Sequence, residues 1–292
     1  MKEVLYKDLG RMGYLECWEK QRTMFDGMLQ RKRTGQVCDD VASPEQVGTA
    51  GVIYLVEHNP VYTLGKSGKS ENMLVSEPYL RSIGAEFYHI DRGGDVTYHG
   101  PGQVVGYPIL DLEQLGIGLR EYIDSLEEAI IGVCREWGIE AGRIAGASGV
   151  WLDGGTSRAR KICAIGVKSS RYVTMHGFAL NVNTELRYFD YINPCGFVDR
   201  TATSMEVELG ERVDLAVVKE RLVAHLAEKL DVNKISRAHF IERLKDLATL
   251  YIIDAGEGMN RAIIENYWMT IGTDNKSTNY ISKNGRIKAG AK

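Results

Sequence analysis

"DRGGDVTYHGPGQVVGYPILDL", residues 91–112, joins two patterns. Its first half gathers glycine, threonine, tyrosine and histidine. Its second half, from Gln103, alternates as a strand does. Adjacent Gly93 and Gly94 permit a turn with positive φ or the close approach of a ligand to backbone. Arg92 is a fixed cation, and Thr97, Tyr98 and His99 add hydrogen-bonding groups. Two readings stand at this point: a loop that holds a long, thin ligand, or a tight hairpin with incidental polar residues.

Outward from this stretch, strands and helices are mixed. "GYLECWEKQRTMFDGMLQRKRTG" predicts an opening helix with Leu15, Trp18, Phe25 and Leu29 towards one face. "GVIYLVEHNPVYTLG", "AEFYHI" and "QVVGYPILDL" predict strands. A helix follows, with Leu119, Tyr122, Ile123, Leu126, Ile130, Val133 and Trp137 at helical spacing and Cys134 on its buried face. "GVWLDG", "KICAIGVKSSR" and "VTMHGFALNVN" predict further strands, and a last helix carries the stripe Leu215, Val218, Leu222, Leu226 and Leu230. This order lacks strict βαβα alternation, so the fold class is α+β, a mixed sheet packed with helices.

Composition bounds the function. Apolar residues make up 44% and charged residues 26% of the 292, and the net charge is −3. Those values fit a soluble globular chain with no global attraction to nucleic acid. No apolar run approaches the ~18 residues of a membrane span, and the first residues lack the apolar segment of a signal peptide, so a cytoplasmic location is expected. The five cysteines are widely spaced without a C-x-x-C, which gives no support to a disulfide framework or a zinc site. "LGKSGKS" fails the phosphate-loop spacing G-x-x-x-x-G-K-[ST], because Thr63 stands where glycine is required. His58, His225 and His239 have no sequence companions and read as ordinary polar residues. Cys195, between Pro194 and Gly196, sits in a turn; its surroundings leave a reactive and an inert role both open.

The motifs together resemble a known family. Arg92, Gly93, Gly94, Thr97, Tyr98, His99, Gly102, Gln103 and Tyr107 fit R-G-G-x-x-T-aromatic-H-x-x-G-Q-x-x-x-Y, the signature of the lipoyl(octanoyl) transferases. The resemblance continues through "EHNPVYTLGK", "GVWLDG", "KICAIGVK", "MHGFALNVN" and "INPCG", in the family's order. It implies the fold of the biotin and lipoate protein ligase catalytic domain, over residues 1–232. It also implies transfer of an octanoyl chain from octanoyl-acyl carrier protein to a lysine of lipoyl domains, those of 2-oxoacid dehydrogenase complexes and the glycine cleavage H protein. Carried over by motif, the catalytic pair is Cys195 and Lys161. The acyl site maps onto Arg92, Gly93, Gly94, Asp95, Val96, Thr97, Tyr98 and His99, onto Ala164, Ile165 and Gly166, and onto His176, Gly177, Phe178 and Ala179. His99 and His176 are further candidates to help backbone N–H groups stabilise an oxyanion. No cofactor and no metal are expected.

Two rivals remain: an ATP-dependent lipoate- or biotin-type ligase, and a non-catalytic acyl- or lipoyl-domain-binding module. The biotin-ligase pattern G-R-G-R is absent, and Cys195 favours transfer over adenylation. Residues 233–292 extend past the family's usual end as a C-terminal extension. There, residues 254–259, "DAGEGM", resemble the adenine box of GHKL-type ATPases, but no second glycine-rich phosphate box follows. An incomplete fragment without a working ATP site is expected.

Overall fold

A computed structural model describes residues 3–35, 49–193, 201–232 and the backbone of Lys234–Arg237. The chain divides into two compact units, Met1–Arg237 and Ala238–Lys292. The second unit lies outside the described residues, and with it the glycine box at 254–259.

The first unit is built on a mixed sheet of nine strands among the described residues. Strand β1 (Glu3–Met12) lies between β2 (Gly51–His58) and β12 (Lys234–Arg237), parallel to both. From β2 the sheet continues antiparallel through β6 (Gln103–Leu110), β10 (Val173–Asn181), β9 (Arg160–Ser170), β8 (Ala147–Leu152) and β7 (Gly142–Ile144). A two-residue strand, β11 (Thr201–Ala202), runs parallel to β9 at its start. A second sheet holds β3 (Val61–Leu64) between β4 (Glu86–His89) and β5 (Val96–His99).

One face of the large sheet packs against α4 (Leu119–Glu136) and α6 (Leu215–Lys229). The expected stripes do this work: Tyr122, Leu126, Ile130, Val133, Val218, Leu222 and Leu226 are fully buried there. Cys134 is in the same core, and burial pushes its thiol up to about 12, so it is inert. Helix α1 (Tyr14–Thr34) lies across β10 and β6, and none of its buried residues belongs to the α4/α6 core. Its inward stripe is Tyr14, Cys17, Gln21, Met24, Phe25 and Met28; Leu15, expected inside, is 46% exposed. Polar Gln21 hides the true stripe in the sequence. The alternation of β6 also differs from expectation: all eight of its residues are buried, because β2 and β10 flank it and both faces are covered.

The small sheet has its own core of Tyr62, Leu64, Leu80, Val96 and Tyr98. Against it packs the 3-10 helix Leu186–Tyr191, with Tyr188 stacked on Tyr98, their ring centroids 4.7 Å apart and their planes 1° from parallel.

Candidate active site

Lys161 reaches its position through a β-bulge. Val150 pairs with Cys163 and Trp151 with Lys161, so Ile162 is an extra residue in β9. Ile162 and Cys163 are both fully buried in the α4/α6 core. Simple alternation puts Lys161 on that core face with Cys163, Ile165 and Val167. The extra residue turns it to the opposite face, which carries Ala164, Gly166 and Lys168. There the Lys161 ammonium lies over the Trp151 ring, 4.4 Å from its centroid.

The Arg92–Gly94 loop covers the far end of this face. Gly93 N–H donates to the Val167 carbonyl (2.9 Å). A Cβ on Gly166 would stand 2.9 Å from the Gly93 carbonyl oxygen and 3.1 Å from Arg92 Cδ, so glycine is required for the loop to close on the strand. Gly94 has φ 89°. Arg92 is 8% exposed, and its guanidinium donates to the Thr63, Asp95 and Gly93 carbonyls and to Thr63 Oγ1 at 2.7–3.1 Å. The sequence offers Arg92 as a fixed cation for a ligand; the structure uses it to brace its own loop. Asp95 accepts from Val96 N–H (2.7 Å) and from Asn72 Nδ2 (2.5 Å).

The histidines are ordered by their partners. His99 Nδ1 meets Gln103 Oε1 at 2.8 Å, while Gln103 Nε2 donates to the Tyr98 carbonyl and to Asn181 Oδ1. Because the amide nitrogen is used elsewhere, Nδ1 of His99 carries the proton. Burial and the neighbouring His58 push His99 down to about 3, so it is neutral. Its single N–H is therefore spent on Gln103 and is not available to an oxyanion. Asn181 Nδ2 in turn donates to the Thr203 carbonyl, and Thr203 N–H to the Lys161 carbonyl, both at 2.9 Å. A relay of hydrogen bonds thus runs from His99 to the backbone of Lys161.

His176 has φ 61°, and this left-handed residue breaks the alternation of β10. Its Nε2 donates to Asp91 Oδ1 (2.9 Å), and Asp91 also pairs with Lys168 (2.5 Å). Those bonds, that from His176 first, hold the Asp91 carboxyl well below the usual range, and burial pushes His176 down. Its N–H is likewise occupied, so both histidines order the site.

The expected residues divide by face. Ala164, Gly166, Gly177 and Ala179 share Lys161's side, as the pairings Ala164–Ala179 and Gly166–Gly177 require. Ile165 and Phe178 point into the α4/α6 core, and Val96 and Tyr98 into the small-sheet core. Thr97 is half-buried opposite Thr63. Cys195 lies outside the described residues. Of the flanking segments, Asn193 N–H donates to the Asn72 carbonyl (2.8 Å), and Thr201 and Ala202 pair with Arg160 and Lys161.

Four residues escaped the sequence reading of the site. His58 is fully buried, its Nε2 accepting from Tyr107 (2.8 Å) and its Nδ1 donating to the Met12 carbonyl, with its ring 6.0 Å from His99. Its place in "EHNPVYTLGK" was the available signal. Trp151 and Asn181 lie likewise in "GVWLDG" and "MHGFALNVN", whereas Asn72 lies in none of the motifs.

A mixed sheet with this glycine loop laid over a lysine-bearing strand is the arrangement of a catalytic domain already known in other proteins. The sequence pattern of the lipoyl protein ligase A/B catalytic domain matches residues 36–227, and the chain belongs to that family. Several relatives at half identity or more are octanoyltransferases. One from Bacteroides fragilis is 56% identical over 217 residues, covering 74% of this chain and 93% of its own. One from Bacteroides thetaiotaomicron is 52% identical over 234 residues, covering 80% and 98%. The fold is shared with solved structures at low identity. A bipartite lipoate protein ligase from Thermoplasma acidophilum matches with TM-score 0.59 and 14% identity over 93% of this chain and 95% of its own. A lipoate-protein ligase A bound with ATP matches with TM-score 0.55 and 13% identity, over 92% and 96%. Among the described residues no helix is long and apolar enough to cross a membrane.

Proposed function

We propose that this chain is an octanoyltransferase of protein lipoylation, an acyltransferase that uses Cys195 as nucleophile and Lys161 as its proton partner. Identity of half or more to octanoyltransferases across most of both chains supports the activity. For the two residues, the supporting observation is the parallel pairing of β11 with β9. It holds the chain just after the Cys195 motif against Arg160 and Lys161.

The donor in this reading is octanoyl-acyl carrier protein. The Cys195 thiolate attacks the donor's thioester carbonyl, the carrier thiolate leaves, and an octanoyl thioester forms on Cys195. One thioester replaces another, so the step is close to balanced. The Lys161 ammonium gives its proton to the departing carrier thiolate; the neutral ε-amine of a lipoyl-domain lysine then attacks the Cys195 thioester carbonyl, the Cys195 thiolate departs, and the amine's proton passes to the now neutral Lys161. Lipoyl domains of 2-oxoacid dehydrogenase complexes and the glycine cleavage H protein are the acceptors. A free thiol of pKa ~8.5 is only about 3% ionised at pH 7, and an ammonium that lowers it to ~7 makes about half of it thiolate. The acyl group arrives already activated, so the reaction consumes no ATP. Octanoyl-acyl carrier protein and an apo lipoyl domain, incubated without nucleotide, give octanoylated domain. A product that requires ATP and comes with pyrophosphate release overturns transfer in favour of ligation.

A further inference from the structure

Asp95 closes the glycine loop, and its side chain is held twice. Oδ1 accepts from Val96 N–H (2.7 Å) and Oδ2 from Asn72 Nδ2 (2.5 Å). Its carbonyl accepts from Arg92 Nη2 (2.7 Å), so Asp95 is fixed at both ends. Asn72 ends the 3-10 helix Ser70–Asn72, and its own carbonyl accepts from Asn193 N–H (2.8 Å). Met73 then bridges Ile192 antiparallel, and Leu74 N–H donates to the Tyr191 carbonyl (3.0 Å). A short ladder therefore fixes residues 191–193, the segment leading into Pro194 and Cys195. One residue touches both loops: Asn72 bonds the glycine loop with its side chain and the cysteine motif's approach with its backbone.

We infer that Asn72 is a positioning residue for the reaction, tying the glycine loop to residues 191–193, the stretch that leads in sequence to Cys195. The inference rests on the reading that Cys195 is acylated. The Asn72 amide donates to Oδ2 of the buried Asp95 carboxylate. Asn72→Asp sets two carboxylates face to face and pushes the loops apart, while the backbone bond to Asn193 needs no particular side chain.

The test compares the full chain, Asn72→Asp, and Asn72→Asp with Asp95→Asn, which exchanges acid and amide and restores the bond with donor and acceptor reversed. Single-turnover acylation by octanoyl-acyl carrier protein is followed by intact mass, with peptide mapping of the adduct and steady-state kcat and KM. Asn72→Asp slows acylation at least about tenfold, as expected for losing a hydrogen bond to a charged group. Its KM stays within about threefold, and the exchange returns the rate to within about threefold of the original. A folded Asn72→Asp protein that acylates at the original rate overturns the inference. So does a folded exchange variant that remains tenfold slow; this second result decides the matter alone if the single variant does not fold. An adduct that maps to a residue other than Cys195 in the unsubstituted chain overturns the underlying reading instead.

Discussion

Acid destabilises this fold through two histidines buried as neutral rings. His58 and His99 are pushed down to about 4 and about 3, chiefly by burial. In the unfolded chain both return to ~6.5. Between those values the unfolded state binds more protons, so the stability these rings contribute is complete above ~6.5 and is lost as pH falls towards their folded values. From pH 7 to pH 5 an unfolded histidine gains most of a proton while the folded rings stay largely neutral. The loss is about 2 kcal/mol for each ring and about 4 kcal/mol for the pair. Carboxylates with ordinary pKa near 4 change little across this window, and Asp91, held still lower in the folded state, loses its contribution only at more acid pH. His176 is displaced in the same direction as the pair and adds to the loss. Against a total of 5–15 kcal/mol for a typical domain, this is a large fraction. Chemical denaturation at pH 7, 6 and 5 measures it, and replacing His58 and His99 by glutamine removes up to two protons from the slope. Stability unchanged within about 1 kcal/mol from pH 7 to 5, or the full slope persisting in the double variant, refutes the assignment of neutral buried rings.

Lys161→Ala raises the pH midpoint for Cys195 alkylation by about one unit or more, and Lys168→Ala, whose ammonium pairs with Asp91, leaves it in place; alkylation–pH curves followed by mass spectrometry check both. Gly166→Ala brings a methyl to 2.9 Å from the Gly93 carbonyl, lifts the glycine loop off β9, and raises KM for the acyl donor more than it lowers kcat. A chain ending at Arg237 stays folded and active, whereas one ending at residue 233 also strips β12 from β1 and melts at lower temperature. Calorimetry with millimolar ATP detects no binding to the full chain.

The residues show what a linear reading carries. The stripes of α4 and α6 were legible because apolar side chains recur there without interruption, and the mixed sheet followed from the order of elements. The stripe of α1 was legible in part: Phe25 and Leu29 are buried, but Leu15 is exposed, and Gln21 faces inward to accept from His176 N–H. "KICAIG" alternates cleanly in sequence and gives no sign of the extra residue at Ile162. Only pairing with β8 reveals the bulge that turns Lys161 towards the site. Likewise, the partners of His58, Asn72 and Asn181 lie far off in sequence and meet them only in the folded chain. Arg92 and Tyr98 belong to the signature, yet in the structure they brace it: one bonds its own loop, the other stacks on the 3-10 helix leading towards Cys195.

The central claim is that an octanoyl group rests on Cys195 during transfer, and intact-mass analysis tests it most directly. The full chain is mixed with octanoyl-acyl carrier protein in the absence of an acceptor, then digested to locate the adduct. The account predicts one octanoyl group per chain, on Cys195, discharged when apo lipoyl domain is added, and absent from Cys195→Ser protein while Cys134→Ser and Cys163→Ser retain it. An undiminished octanoyl adduct on Cys195→Ser protein, or transfer to the lipoyl domain at full rate by that variant, would contradict it.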